Sequence, residues 1–286
     1  MNVREYIEAR AKSDAAFAKL IAAIKELERR MADRAAETIA GFDTAGGVLI
    51  ASDANIEQSL RVIAAMKGEL AGDPWIDAVS DYLESFDETA DRLLDYGQTL
   101  GEVDPGPVIG IGRNYKSLLA DLLTSPSTYA ATLWIPAYQS LSGIVASEAT
   151  VASAINAVTT LAVGDDEVLG KVESEVSRPV GDAQSVHERA TTQAIAKQLD
   201  IQFYLYQGSA IDTTREFCRE RRDKVWHIKE IEGWASLEWA GKKPETNRGN
   251  ILELLGGWFC RHIAVPLAKR DVPAADLERM KAKGYL

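Results

Sequence analysis

Asp212-Thr213-Thr214-Arg215-Glu216-Phe217-Cys218 and Gly256-Gly257-Trp258-Phe259-Cys260-Arg261-His262 bracket a block unlike the rest of this 286-residue chain. Both cysteines stand in these two segments, and Trp226, His227, Trp234 and Trp239 fall between them. Rare, rigid side chains gathered on so short a stretch imply a small, tightly specified module. Just upstream, Ile201-Gln202-Phe203-Tyr204-Leu205-Tyr206 has the aromatic and branched content of a strand, ended by Gly208. Within the block, 224–227 and 258–265 read as two more strands, the second stopped by Pro266. A short helix capped by Asp212 or Thr213 and a second over 229–239 alternate with them, and 241–250 reads as a polar loop. Short strands interleaved with helices beside an all-helical region give an α+β module.

Upstream, the pattern is helical. Phe17, Leu20, Ile21, Ile24, Leu27 and Met31 recur at spacings of three and four over 2–39, with charges filling the other positions. Gly41 and Gly46-Gly47 end that helix. Asp53 is placed to cap the next, whose Ile56, Leu60, Ile63 and Met66 fall on one face. Gly72-Asp73-Pro74 punctuates before a third helix running from Trp75 towards Gly97. Gly101-Glu102-Val103-Asp104-Pro105-Gly106-Pro107 combines breakers that cannot continue a helix. Gly110-Ile111-Gly112 reads as a turn, because Tyr115 stands where a phosphate-cradling loop would need another glycine. The expected fold is therefore mainly α: an N-terminal helical bundle (1–100), a linker (101–112), a helical middle (113–200) and the Cys/Trp-containing α+β module (201–286). The continuous apolar stripes of the N-terminal helices make them the expected oligomer or partner surface.

The chain holds 32 basic and 43 acidic residues. From Leu205 onward 15 are basic and 12 acidic, which leaves 17 basic against 31 acidic upstream. So acidic a body repels phosphate backbones and membrane surfaces, which argues against nucleic acid as the main partner and against a membrane role. The chain opens without the basic-then-apolar order of a secretory signal, and two cysteines make no disulfide framework, so folding in a reducing cytoplasm is expected.

The chemistry-bearing residues are Cys218, Cys260, His227 and His262. Nucleophilic catalysis would pair a thiol with an imidazole. Cys260 and His262, two apart on an expected strand, would share a face at about 6–7 Å, too far for a direct hydrogen bond. The four residues are the right types for tetrahedral zinc, but neither cysteine has a second within two to four positions, so neither metal nor cofactor is assigned. A disulfide between the two cysteines and two buried free thiols remain as the other readings. Asp212 and Arg215 are spaced to pair. The structural cluster expected from these arguments is Asp212, Arg215, Cys218, Trp226, His227, Trp234, Cys260, Arg261 and His262, with no catalytic residue.

The order Tyr206-x-Gly208, Asp212-x-x-Arg215-x-x-Cys218, Lys224-Val225, Glu230-Ile231, Trp234, Trp239, Asn247, Gly256-Gly257, Cys260-Arg261-His262 and Val265-Pro266 resembles a known module. It is similar to the C-terminal module of phage head morphogenesis or minor capsid proteins of the Mu F-like type. The resemblance covers about residues 200–270, with a looser likeness back to Leu118 through Thr191-Thr192; the N-terminal helices find no counterpart. It departs at Arg221, where members of that type often carry a second cysteine of a Cys-x-x-Cys pair. The resemblance implies a virion structural protein assembled in the bacterial host cytoplasm, packing as a homo-oligomer or against portal, capsid or tail components, and no catalytic residue. The competing readings are a metal-dependent or Cys/His enzyme module, and an internal protein ejected with the genome.

Overall fold

The fold was read from a computed structural model, which describes Glu5 and residues 11–286 except Asp166 and Ser209, without the side chains of 11–14. The expectation of helix over 2–10 thus lies almost wholly outside the described residues. The chain is mainly α, with a small C-terminal α+β module. Contacts group it into two compact units, Ala15–Leu83 with Leu118–Arg178, and Met1–Asp14 with Glu84–Ser117 and Pro179–Leu286. These differ from the boundaries drawn at 1–100, 101–112, 113–200 and 201–286. Four helices run through both groupings, so breakers in the sequence do not mark the divisions. The 101–112 stretch is not a linker beyond Asp104. Pro105 opens a helix, where its missing N–H costs nothing, and Gly110-Ile111-Gly112 lies inside that helix and not in a turn.

The first unit begins with α1 (Ala11–Ile39), whose stripe Leu20, Ile24, Leu27 and Met31 is fully buried. A hairpin of β1 (Thr44–Ala45) and β2 (Val48–Leu49) follows. Helix α2 (Asp53–Gly68) is capped by Ser52, whose side chain accepts from the Asn55 amide, so Asp53 is the first helical residue and not the cap. Its buried face is Asn55, Ser59, Val62, Ile63 and Met66, leaving Ile56 and Leu60 exposed. Asn55 explains that rotation. Its amide donates to the carbonyls of Asp43 and Ile50 and its oxygen accepts from Asp43 N, so a buried polar side chain holds the preceding turn. Helix α3 (Asp73–Leu100) buries Trp75, whose indole donates to the Leu123 carbonyl in α4 (Pro105–Thr124). Helices α5 (Ile135–Ala146) and α6 (Val151–Val163) pack together through small residues, with Ala154, Val158 and Ala162 buried.

Helix α7 (Lys171–Gln198) starts on a borrowed cap. The buried Glu28 carboxylate of α1 accepts from the Glu173 amide at 2.8 Å, and Gly170 lies so close that a Cβ there would sit 2.3 Å from that carboxylate. Burial raises the Glu28 pKa to about 7 against the lowering effect of the Glu173 and Val172 amides.

In the second unit β3 (Phe203–Gln207) is the centre of an antiparallel sheet, flanked by β4 (Lys224–His227) and β5 (Ile263–Leu267). Pro266 falls inside β5, opposite Tyr204, and does not stop the strand. An edge strand tolerates proline because one side of its ladder needs no donor. The Pro266 carbonyl accepts from the Tyr96 hydroxyl of α3 at 2.5 Å. Alternation along β3 sends Tyr204 and Tyr206 into a thiol- and indole-rich core, and Phe203 and Leu205 into aliphatic cores on the other face. The remaining helices are α8 (Glu216–Arg221), α9 (Ile228–Trp234), α10 (Ile251–Leu254) and α11 (Ala274–Ala282). Helix α9 stops five residues before the expected 239, because the Lys242 ammonium takes the Ala235 and Leu237 carbonyls and turns the chain.

His187 of α7 is fully buried against the rings of Phe86 and Tyr115. Burial lowers its pKa to about 4, with Asp87 opposing the shift. The unfolded chain therefore takes up this proton first, so stability falls as pH drops from about 6.5 to about 4. Replacing His187 by Gln is expected to remove about 3 kcal/mol of that pH-dependent loss. Urea unfolding of both proteins at pH 7 and pH 4.5 checks this; identical slopes against pH would contradict it.

Candidate functional site: a buried Cys-Cys-His cluster

Helix α8 carries Cys218 on its inner side, and the loop after α10 brings Cys260 and His262 to it. The loop can do so because it is folded back on itself and is not the strand expected over 258–262. Leu255, Gly257 and Phe259 all have positive φ, at 34°, 89° and 54°. The Cys218 and Cys260 sulfurs stand 3.9 Å apart, and Cys260 Sγ is 3.9 Å from His262 Nδ1. The expected strand separation of Cys260 and His262 is thus replaced by direct approach. Both thiols are free, and Cys218, Cys260 and His262 are 2%, 2% and 4% exposed.

The two glycines before the loop are steric requirements. A Cβ at Gly256 would lie 2.6 Å from both sulfurs. One at Gly257 would lie 1.9 Å from the Gly241 carbonyl, on backbone already in the left-handed region. Gly208 plays the same part for the imidazole, since a Cβ there would come within 2.6 Å of the His262 ring. That ring is stacked on Tyr206, with centroids 5.4 Å apart, and the Tyr206 hydroxyl donates to Cys218 Sγ at 3.4 Å.

The two sulfurs shift in opposite directions because each is the other's hydrogen-bond partner. The hydrogen bond between Cys218 and Cys260, together with burial, pushes the Cys218 thiol up. The same bond lowers Cys260 against its burial, helped by His262 and Arg189. Arg189 of α7 is 2% exposed, and its Nη1 donates to the carbonyls of Cys260 at 3.1 Å and His262 at 3.5 Å. Asp182, also on α7, accepts from the Phe259 amide at 2.6 Å and pairs with Lys243 at 3.0 Å, both side chains 8% exposed. Arg189, Asp182 and Lys243 were not among the sequence candidates. An amphipathic helix carrying charge on its buried side was the one available signal.

Other candidates sort around this centre. Arg215 does not pair with Asp212. Its Nη2 donates to the Trp258 carbonyl at 2.6 Å, while the Asp212 carbonyl accepts from Arg219. Arg261 is exposed beside the buried His262. Trp234 packs edge-on against Tyr206, Phe217 and Trp226, with the Arg221 guanidinium over its face. Trp226 donates its indole N–H to the Arg221 carbonyl. His227 stands apart from the thiols. It caps α9 through Nδ1 and stacks on Tyr285 at 5.3 Å. A four-ligand set including it is therefore not assembled. Beside it, burial raises the Glu230 carboxyl, but Lys283, the His227 amide and Arg279 outweigh this and hold its pKa below the usual value.

An open cleft of about 380 Å³ lies elsewhere in the unit, lined in part by Gln193, Lys197, Asp200, Tyr204, Glu232 and Arg248. None of the Cys-Cys-His residues lines it. No helix among the described residues is long and apolar enough to cross a membrane. Comparison with known proteins finds no matching family model, no matching curated protein and no matching solved structure.

Two measurements probe this packing. Gly256→Ala is expected to lower stability by about 1–3 kcal/mol, because the methyl group must displace sulfur or backbone. Gly233→Ala, inside α9 with open space at its Cβ, is expected to raise it by about 0.5–1 kcal/mol. Chemical denaturation that gave both changes the same sign would contradict the steric argument. Asp182→Ala leaves the buried Lys243 ammonium with only the Trp258 ring, 4.3 Å away, and is expected to cost about 3–5 kcal/mol. A loss below about 1 kcal/mol would assign that pair to the solvated class.

Proposed function

We propose that this chain is a structural protein of a bacteriophage particle, with a minor capsid, head morphogenesis or head–tail connection role exerted through protein–protein packing. One observation carries the reading. Several of the residues on which the Mu F-like resemblance rests, among them Cys218 and Cys260 at a separation of 42 positions, converge on a single closure. Tyr206 and Gly208 seat His262, Arg215 holds the Trp258 carbonyl, and Gly256-Gly257 admit the sulfurs. Motif residues of this kind specify a shape. The partners are other virion proteins, namely portal, capsid or tail components, or further copies of this chain, assembled in the host cytoplasm.

The enzyme reading meets a physical obstacle. A nucleophilic thiolate has to reach substrate, yet both thiols are 2% exposed and do not line the open cleft of the unit. The ejected-protein reading predicts a chain lost from the particle with the genome.

Particles purified on a density gradient from a host carrying the gene, with quantitative mass spectrometry before and after genome ejection, test the assignment. The chain is expected at a fixed copy number that survives ejection and high salt. Its absence from purified particles would overturn the reading. Loss on ejection would replace it with the ejected-protein reading.

A further inference from the structure

We propose that Cys218, Cys260 and His262 bind one thiophilic cation, zinc in the cell, that staples the 212–218 segment to the 256–262 loop. This goes beyond the particle role and does not depend on it. The three donor atoms lie within 4.8 Å of one another, and all three residues are buried. A tetrahedral zinc with arms of about 2.3 Å to sulfur has sulfur–sulfur edges of about 3.8 Å. The Cys218–Cys260 edge is 3.9 Å, and the Cys260–His262 Nδ1 edge is also 3.9 Å. A disulfide would require the sulfurs at about 2.05 Å, so the spacing fits ions better than a covalent bridge.

The surroundings are built for a fixed donor set. Stacking on Tyr206 sets the His262 ring plane with Nδ1 towards Cys260. Arg189 holds the carbonyls of both loop ligands, so the backbone that carries them cannot swing away. Gly256 keeps the space beside both sulfurs free of a side chain. Such outer contacts orient metal ligands in known sites. Two thiolates and one imidazole are soft to borderline donors, which select zinc over magnesium or calcium. On binding, each thiol gives its proton to solvent and its sulfur lone pair to the metal, and the imidazole gives the Nδ1 lone pair. No electron is transferred. Three protein ligands leave the fourth position to water.

The test uses the full chain, reduced and purified without chelator. Elemental analysis is expected to give about one zinc per chain, and Co2+ added to the stripped protein is expected to give thiolate-to-cobalt charge-transfer and tetrahedral d–d absorption. Cys260→Ser and His262→Asn should lower Co2+ affinity at least tenfold and weaken the charge-transfer band or shift the d–d band, respectively. A folded, reduced wild-type chain that holds no zinc and gives no such cobalt spectrum overturns the proposal. So does one equivalent of zinc retained unchanged in Cys218→Ser and Cys260→Ser. Because the wild-type spectrum decides alone, a variant that fails to fold leaves the test intact. A metal-free chain found at fixed copy number in particles would refute the staple and keep the particle role; a zinc-bound chain absent from particles would do the reverse.

Discussion

The space beside two sulfur atoms governs the C-terminal unit. Cys218 and Cys260 approach to 3.9 Å only because residue 256 has no side chain, and residue 257 must then turn through a positive φ to pass the Gly241 carbonyl. That turn presents the Trp258 carbonyl to Arg215 and carries His262 under Tyr206. Once the loop is so placed, β5 begins at Ile263 in register with Gln207, and the sheet follows. A steric constraint at one point thus fixes a strand register and the aromatic core that covers it. Core aromatic pairs here, such as Phe217 stacked on Trp239 at 4.1 Å, add about 0.5–1.5 kcal/mol each beyond their buried area.

Buried charge does the complementary work of attaching that loop to α7. Asp182 and Arg189 lie seven positions apart, two helical turns on one face, and both reach the 259–262 backbone. A carboxylate takes the Phe259 amide and a guanidinium takes two carbonyls, so the irregular backbone, which has no ladder partner, is satisfied from a rigid helix. The first unit uses the same device in reverse, with Glu28 of α1 satisfying the exposed amides at the start of α7. In both cases a long helix supplies hydrogen-bonding partners that the local segment cannot provide for itself.

Where the sequence is periodic, it was legible. The α1 stripe, the length of α3 and the position of β4 followed from spacing, since burial of one face is what produces spacing. The departures arise where a polar or special residue overrides it. Asn55 and Ser59 draw the buried face of α2 away from Ile56 and Leu60. Gly110 and Gly112 sit inside a helix despite their poor propensity, Gly112 buried with its Cβ position 3.5 Å from His187 and Gly110 facing open space. At the site, Cys218, Cys260 and His262 were legible as rare residue types, but their approach was not. Treating 258–262 as a strand put Cys260 and His262 too far apart, and positive φ at Leu255 and Phe259 has no signature in residues that ordinarily avoid it. Arg189 was illegible for a similar reason, as nothing local distinguishes an arginine that faces inward.

The closure also restricts access to its own reactive groups. Catalytic groups need access and a poised protonation state. Here the thiols are enclosed by Tyr206, Trp234 and two glycine-lined backbones, and the histidine that shares their space is immobilised by stacking. His227, the imidazole with a different environment, is spent on capping α9 and on holding Tyr285 at the chain's end. His227 thus has its ring nitrogen engaged by backbone, while the two thiols and His262 are turned towards one another and Tyr206. A cation held by the Cys-Cys-His trio would extend the same logic, replacing the thiol contact with bonds that tie helix α8 to the closing loop. Rigidity of this kind is what the packing role proposed above requires.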